Sequence, residues 1–374
     1  LLLQVILFVL SYLSHKLGTV TNSLLLYLPL VLGIVFIHWF GTQILPVLFI
    51  NGATTLFIWG VSNFTLKIGV LSTHEAIVAL VSWLLYQKLF LNKSSPRFEN
   101  TNSFLRFVVL GIVIPVCVNS IYVYHYGFVR GNVDKVVLYW LSDFITILPV
   151  SVLLLYFFDF NASTNKIQPI ARKGLSRQEW IELGIITVVF IALSLYFPFD
   201  KYWFIYGIGA TLFALRWGFE ASILLNLVIF MLSYLLPLFD FASSLLITQG
   251  STQYANVHLG MSTMMFVSML VGRVVSDLGE AEKKLKNQKQ HVEKINNELQ
   301  ETNQELDRFV YSVSHDLSAP LKSIKGLVTI SRMEPQQANE YLTKIDRSVD
   351  RLEEFISEVL DYSRTNRKQL VYEN

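Results

Sequence analysis

The sequence is poor in the features that brace a soluble fold. Its one cysteine, Cys117, lies in the apolar run 112–118, so an internal disulfide is excluded and redox chemistry is not indicated. Charged residues make up only 16% of 374 residues, 53% are hydrophobic, and mean hydropathy is +0.47, which argues against a soluble globule. A net charge of +2 is too small to attract a polyanion, so no nucleic-acid partner is expected. Proline is missing between Pro237 and Pro320, which permits a long uninterrupted helix. Glycine is missing after Gly326, which leaves no material there for a glycine-rich phosphate loop. The apolar start at Leu1 has no initiator Met, basic flank or small-residue cleavage site, and reads as a truncated first span instead of a signal peptide. The few charges are unevenly placed. Residues 273–374 hold 16 Lys/Arg and 18 Asp/Glu, leaving 14 and 10 for the 272 residues before. An oily part and a water-facing part share one chain.

Crossing about 30 Å of hydrocarbon takes roughly 20 apolar residues in a helix. Runs of that kind predict spans near 1–14, 23–40, 43–63, 68–91, 105–126, 136–158, 179–198, 202–216, 218–239 and 256–275. Ten is the best count, with eight or nine if neighbours merge, notably the pair around Arg216 and Gly218. Loop charge supports ten. The basic loops with Lys93 and Arg97, and with Lys166, Arg172, Lys173 and Arg177, then fall on one side with the charged tail, which makes that side cytoplasmic. The opposite loops carry less: Lys16, Lys67, Arg130 and Lys135 beside Asp134, Lys201, and nothing basic between Asp240 and His258.

Polar groups inside spans are expensive and therefore candidate sensing residues. They are His74, Glu75, Asn119, Asp143, Arg216 and Glu220. Arg216 and Glu220, four residues apart, are expected to neutralise each other at the interface. Asp143 has a functional or a packing role inside the bundle, and His74-Glu75 is either a proton or ligand site or a buried structural pair. No spacing suggests a metal site, and no paired broken helices suggest a transporter. Tyr27-Leu-Pro-Leu-Val-Leu-Gly-Ile, Leu45-Pro-Val-Leu-Phe-Ile-Asn-Gly-Ala and Trp140-Leu-Ser-Asp-Phe-Ile-Thr-Ile-Leu-Pro-Val resemble the multi-span, membrane-associated sensor domain (type one) of bacterial signalling proteins. Thr146 stands where that family would carry glycine. The resemblance implies detection of a stimulus within the membrane.

Beyond the last span the apolar residues keep a strict period of seven. Val271, Leu278, Leu285, Val292, Leu299, Leu306 and Val313 form one row, and Val274, Ala281, Gln288, Ile295, Thr302 and Phe309 form its partner. This predicts a parallel coiled-coil seam leaving the bilayer, the alternative being a single amphipathic surface helix. Gln288 and Thr302 weaken the seam, which suits a relay between two packings of similar energy. From Leu306 the stripe shifts to Val310, Val313, Leu317, Leu321 and Ile324, a stutter that makes 309–310 a candidate switch point.

The same helix contains Phe309-Val-Tyr-Ser-Val-Ser-His-Asp-Leu-Ser-Ala-Pro-Leu-Lys-Ser-Ile. His315 is two residues from both Val313 and Leu317, about 200° around the helix, so it should face water while they face a core. An imidazole is a side chain that stays largely unprotonated, and so nucleophilic, near neutral pH. Asp316 next to it is placed to accept the proton of the other ring nitrogen, fixing the tautomer, unless it is an ordinary surface acid. Pro320 removes a backbone donor and is expected to kink the helix just past the histidine. Lys322 and Lys325 would attract an acidic partner or simply be solvated. This segment resembles the phosphoacceptor box of sensor histidine kinases: His, an acidic residue, Leu, two variable residues, Pro, Leu. Many of that family carry Asn or Thr four residues after the histidine, where it serves phosphatase activity; Ala319 here implies a weak phosphatase. After a turn at 331–335, Leu342, Ile345, Val349, Leu352, Ile356 and Val359 form a second stripe, and two such hairpins would make a dimeric four-helix bundle.

The expected fold is all-α: a polytopic transmembrane bundle (1–275), a coiled-coil signalling helix (276–305), a dimerisation and phosphoacceptor hairpin (306–366), and the start of a linker (367–374). The resemblance implies a homodimer in a bacterial plasma membrane with a cytoplasmic tail, passing phosphate from ATP through His315 to an aspartate of a response-regulator receiver domain. The ATP- and Mg²⁺-binding domain of that family is missing from these residues, so no cofactor is expected within them and the sequence reads as part of a longer kinase. The alternative is a non-catalytic membrane receptor or transporter-like module whose tail only dimerises.

Overall fold

The computed structural model describes residues 2–21, 26–60, 66–91, 98–126, 133–161, 164, 166–170, 174–197, 199–235 and 251–372. The basic-loop residues Lys93, Arg97, Arg130, Arg172 and Lys173 lie outside them, as do Pro237, Asp240 and residues 236–239 of an expected span. Helices begin and end where local chemistry says they should. α1 covers Leu2–Thr21, and α2 (Leu28–Phe40) opens with Pro29, whose missing amide costs nothing in a first turn. α2 stops at Gly41, whose φ of +64° lies in the left-handed region. A 3₁₀ turn, Gly41–Ile44, leads into α3 (Leu45–Ile58), again opened by a proline, Pro46. α4 (Leu66–Leu71) precedes α5 (His74–Ser82), which widens into a π-helical stretch, Trp83–Leu91. α6 (Thr101–Arg106) is opened by a reciprocal cap: the Ser103 amide donates to Asn100 Oδ1 at 2.9 Å and the Asn100 amide to Ser103 Oγ at 3.2 Å. It continues through π-helical Phe107–Val113 into α7 (Ile114–Tyr126). α8 is Val133–Phe157, α9 is Arg177–Tyr196, capped by Ser176 and Glu179, and α10 is Phe199–Phe230.

α2 is apolar on all sides and sits accordingly, against both α5 and α8. Ile34 and Val35 meet Ile145, Leu148 and Val152 in one buried core. One small departure from an all-α fold follows α8: β1 (Phe158–Asn161) and β2 (Lys166–Pro169) pair antiparallel, Phe158 opposite Pro169 and Asn161 opposite Lys166. Phe160 packs on Phe40 with ring centroids 4.5 Å apart, which anchors the hairpin to the end of α2.

Among the described residues six helical stretches are long and apolar enough to cross a membrane: Leu28–Ile58, Gly69–Leu89, Thr101–His125, Val133–Phe157, Lys201–Tyr234 and the first part of Asn256–Met333. Leu2–Lys16 is a shorter apolar helix. The described parts of the runs 23–40 and 43–63 thus fall in one stretch, Leu28–Ile58, turning at Gly41, and those of 202–216 and 218–239 in another, Lys201–Tyr234, bent at Gly218. Gly218 has φ +77°, and its Phe219 neighbour donates its freed amide to Ser276 Oγ at 2.9 Å. The last helix, α11 (Ser251–Met333), crosses α10 there through small residues: a Cβ on Gly272 would lie 2.6 Å from Ser222 Oγ. Asn226 Nδ2 donates to Ser268 Oγ at 2.7 Å one turn further on.

The chain divides into two units, Leu1–Ala281 and Glu282–Asn374. The second contains the end of α11, a 3₁₀ turn Pro335–Gln337 and α12 (Ala338–Tyr372). α11 runs through Pro320, which lies inside the helix. Residues 367–372, expected to open a linker, continue α12.

Candidate functional site

His315 lies in the middle of the second unit's first helix, one turn ahead of Pro320. Helical geometry turns it away from Val313 and Leu317, which are half-buried, and leaves the imidazole side chain 72% exposed. Its Nδ1 is 3.0 Å from Asp316 Oδ1. With Nδ1 carrying the hydrogen toward that carboxylate, Nε2 keeps its lone pair and points to water. Ser312 Oγ approaches the other carboxylate oxygen, Oδ2, at 3.5 Å. The pair is thus built from consecutive residues of one helix, and an incoming electrophile has open access to it.

Residues 305–368 match the His Kinase A (phospho-acceptor) domain. Over these residues the tail is similar to a histidine-kinase phosphoacceptor domain. Cyanobacterial phytochrome A of Nostoc sp. (strain PCC 7120 / SAG 25.82 / UTEX 2576) is 31% identical over 81 residues, 20% of this chain and 11% of that protein. The methanogenesis regulatory histidine kinase FilI of Methanothrix harundinacea (strain 6Ac) is 33% identical over 75 residues, 19% of this chain and 8% of that protein. The chain therefore covers about a tenth of the length of the curated relatives it matches. No solved structure matches it significantly. The apolar helices ahead of the phosphoacceptor domain are consistent with a transmembrane sensor.

The polar residues of those helices are arranged differently from the sequence expectation in three places. Arg216 does not pair with Glu220. It donates to Glu182 at 2.9 Å, while Glu220 accepts from the Tyr156 hydroxyl at 3.2 Å. The positive φ of Gly218 between them breaks the helical register that an i, i+4 pair requires. Trp217 Nε1 joins Glu182 at 2.7 Å, so that carboxylate gathers both groups ahead of the bend. His74 and Glu75 do not form a pair either: His74 Nδ1 bonds the Leu71 carbonyl at 2.8 Å, whereas fully buried Glu75 accepts from Asn51 and contacts the Tyr27 hydroxyl. Asp143 is buried and receives Asn119 Nδ2 at 2.7 Å, joining two candidates on adjacent helices, α7 and α8.

The third difference is Arg273. Counted from sequence as the first residue of the water-facing part, it is only 2% exposed. Its guanidinium holds Asp277 through Nε at 2.9 Å and through Nη2, reaches the Phe98 carbonyl at 3.2 Å with Nη1, and lies 5.4 Å above the Phe219 ring. Asp277 Oδ2 accepts from the amide and hydroxyl of Thr101 at 2.7 and 2.6 Å. Burial alone would raise the Asp277 carboxyl, but the Thr101 donors and the guanidinium outweigh it and hold the group below the usual carboxylate range. The clasp ties the root of the output helix, ahead of the phosphoacceptor domain, to the start of α6. Sequence reasoning missed it, and it missed Asn51, Tyr27, Ser11 and Thr55 around Glu75. Asn51 beside Gly52 in an apolar span was the available sign, a buried amide next to a close helix contact.

Proposed function

We propose that this chain is the sensor and phosphoacceptor portion of a membrane histidine kinase, relaying phosphate from ATP through His315 to an aspartate of a response regulator. The observation that carries the reading is the exposed imidazole with Asp316 at its Nδ1. The Nε2 lone pair attacks the terminal phosphorus as the bond to the departing nucleoside diphosphate breaks. Asp316 keeps the Nδ1 proton and offsets the positive charge that grows on the ring. The receiver's carboxylate then takes the phosphoryl group and the neutral imidazole is restored. No glycine follows Gly326 from which a phosphate loop could be built, so in this reading ATP and Mg²⁺ are held elsewhere. A catalytic domain, on a longer chain or in trans, would hold them.

In this reading the sensor occupies 1–275, with Asp143, His74, Glu75, Arg216 and Glu220 among its responsive groups. It lies in a plasma membrane with the tail cytoplasmic, and the hairpin pairs with a second copy. The exposed seam residues Leu278, Leu285, Val292, Leu299 and Leu306 support pairing, because they repeat every seven positions without a partner in one chain. The test is to mix the chain with an isolated kinase ATP-binding domain and labelled ATP. Acid-labile label on the wild type, lost in His315→Gln, is the expected result, and label that survives the substitution overturns it.

A further inference from the structure

Four helices, α1, α2, α3 and α5, bring polar side chains to one point inside the apolar bundle, where five groups meet in a closed loop. The Tyr27 hydroxyl is within hydrogen-bonding reach of both Glu75 Oε1 and Thr55 Oγ1, the latter at 3.2 Å. Thr55 Oγ1 lies 2.8 Å from Ser11 Oγ, which donates to Asn51 Oδ1 at 3.5 Å. Asn51 Nδ2 closes the loop on Glu75, at 2.9 Å from Oε2 and 3.0 Å from Oε1. Ser11, Asn51 and Glu75 are fully buried.

No cation balances Glu75 among the described residues. On α5 itself His74 is engaged by the Leu71 carbonyl, and at the far end of that helix His38 of α2 bonds Gln87 and Ser82. On α7, Tyr122 meets Thr73 at 3.3 Å. On α1, His15 faces Trp59, ring centroids 6.4 Å apart, and Lys16 is exposed. Among these titratable groups only Tyr27 touches the carboxyl.

A hydroxyl has one hydrogen to give. When Tyr27 donates to Thr55, the hydrogen between Tyr27 and Glu75 comes from the carboxyl; when Tyr27 donates to Glu75, that carboxyl is ionised and accepts. We propose that Glu75 is a proton-binding site, and that this loop makes the membrane unit proton-responsive. With the proton bound, donation runs from Glu75 to Tyr27, Thr55, Ser11 and Asn51, and the Asn51 amide returns to the other carboxyl oxygen. Every hydroxyl then gives once and accepts once. On release, the Oε1–H bond breaks, the electron pair stays on the carboxylate, and the proton passes to water at the membrane surface. Tyr27 turns to donate to Oε1, Thr55 to Tyr27 and Ser11 to Thr55, while the second Asn51 amide hydrogen reaches Ser11 Oγ, 3.3 Å away. The loop closes in the opposite sense, now around an unpaired charge in a low-dielectric bundle. Proton occupancy thus selects between two complete hydrogen-bond polarities spanning four helices.

The link from this switch to signalling rests on reading residues 1–275 as a sensor; the protonation does not. The full chain in lipid nanodiscs is titrated from neutral to alkaline pH while its infrared difference spectrum is recorded. The expected result is the carbonyl stretch of a protonated carboxylic acid at neutral pH, lost at alkaline pH and absent in Glu75→Gln. Tyr27→Phe, which removes the hydrogen-bond acceptor, is expected to move that band to higher frequency, and covers the case in which Glu75→Gln does not fold. A neutral-pH spectrum without a Glu75-dependent acid band, or a band unmoved by Tyr27→Phe, overturns the proposal. Neither measurement involves phosphotransfer, so failure here leaves the role of His315 standing, and the converse holds.

Discussion

At the scale of single residues, the proposed chemistry rests on His315 and the carboxylate beside it. Asp316→Asn keeps the shape but replaces the acceptor of the Nδ1 proton with an amide that can present a hydrogen in its place. Phosphoryl uptake by His315 should fall about 10²–10⁴-fold, the range seen when a positioned acid or base is removed, and single-turnover labelling would measure it. An unchanged rate would show Asp316 to be a bystander. Ala319→Asn should raise dephosphorylation of the cognate receiver, read as loss of label from the receiver with time. Arg273 predicts a stability effect. Arg273→Ala leaves Asp277 without its buried partner and should cost about 3 kcal/mol, the lower end for a broken buried pair because Asp277 keeps some contact with water. Thermal unfolding in detergent would report it. The sign of the pH dependence follows from the lowered Asp277 carboxyl. Its contribution is complete above the ordinary aspartate range, near pH ~4, and is lost as pH falls through the still lower folded value. Arg273→Ala should therefore flatten the acid limb of the stability curve.

At the scale of elements, the bend in α10 and the seam of α11 are the parts with the clearest mechanical meaning. Gly218→Ala forces a side chain into a left-handed backbone position, at about 1–2 kcal/mol. Its Cβ would also meet Ser276 Oγ at 2.6 Å. Ser276→Ala should cost about 1 kcal/mol by leaving the Phe219 amide unpaired. Both are measurable as shifts in melting temperature of the reconstituted chain. The seam predicts a phase rule for output. One residue inserted near Asn296 rotates everything beyond it by about 100° and should change phosphorylation, whereas seven inserted residues restore the register and should leave it nearly intact. Equal effects of the two insertions would dissociate the heptads from signalling.

At the scale of the whole molecule, what was readable from sequence separates by the range of the interactions involved. The His315 box, the heptads and the proline-opened helices are local patterns, so their residues carry the information themselves. Arg216 and Glu220 were mispaired because a single backbone angle at Gly218 overrode a rule for regular helices. The Glu75 loop and the Arg273 clasp join residues up to 48 and 176 positions apart, and beyond Asn51 beside Gly52 no local pattern points to such meetings. The exposed seam residues make a further whole-chain prediction. Cysteines placed at Leu285 or Leu299 should crosslink two copies readily, and cysteines at exposed Lys289 or Gln300 much less. A final consequence concerns what an upstream stimulus is able to change. Nucleophile and proton holder occupy adjacent positions on a single turn, so no shift elsewhere pulls them apart while that turn survives. Under the proposed phosphoacceptor role, regulation then acts on delivery, by opening or shielding the approach of donor and recipient to the imidazole.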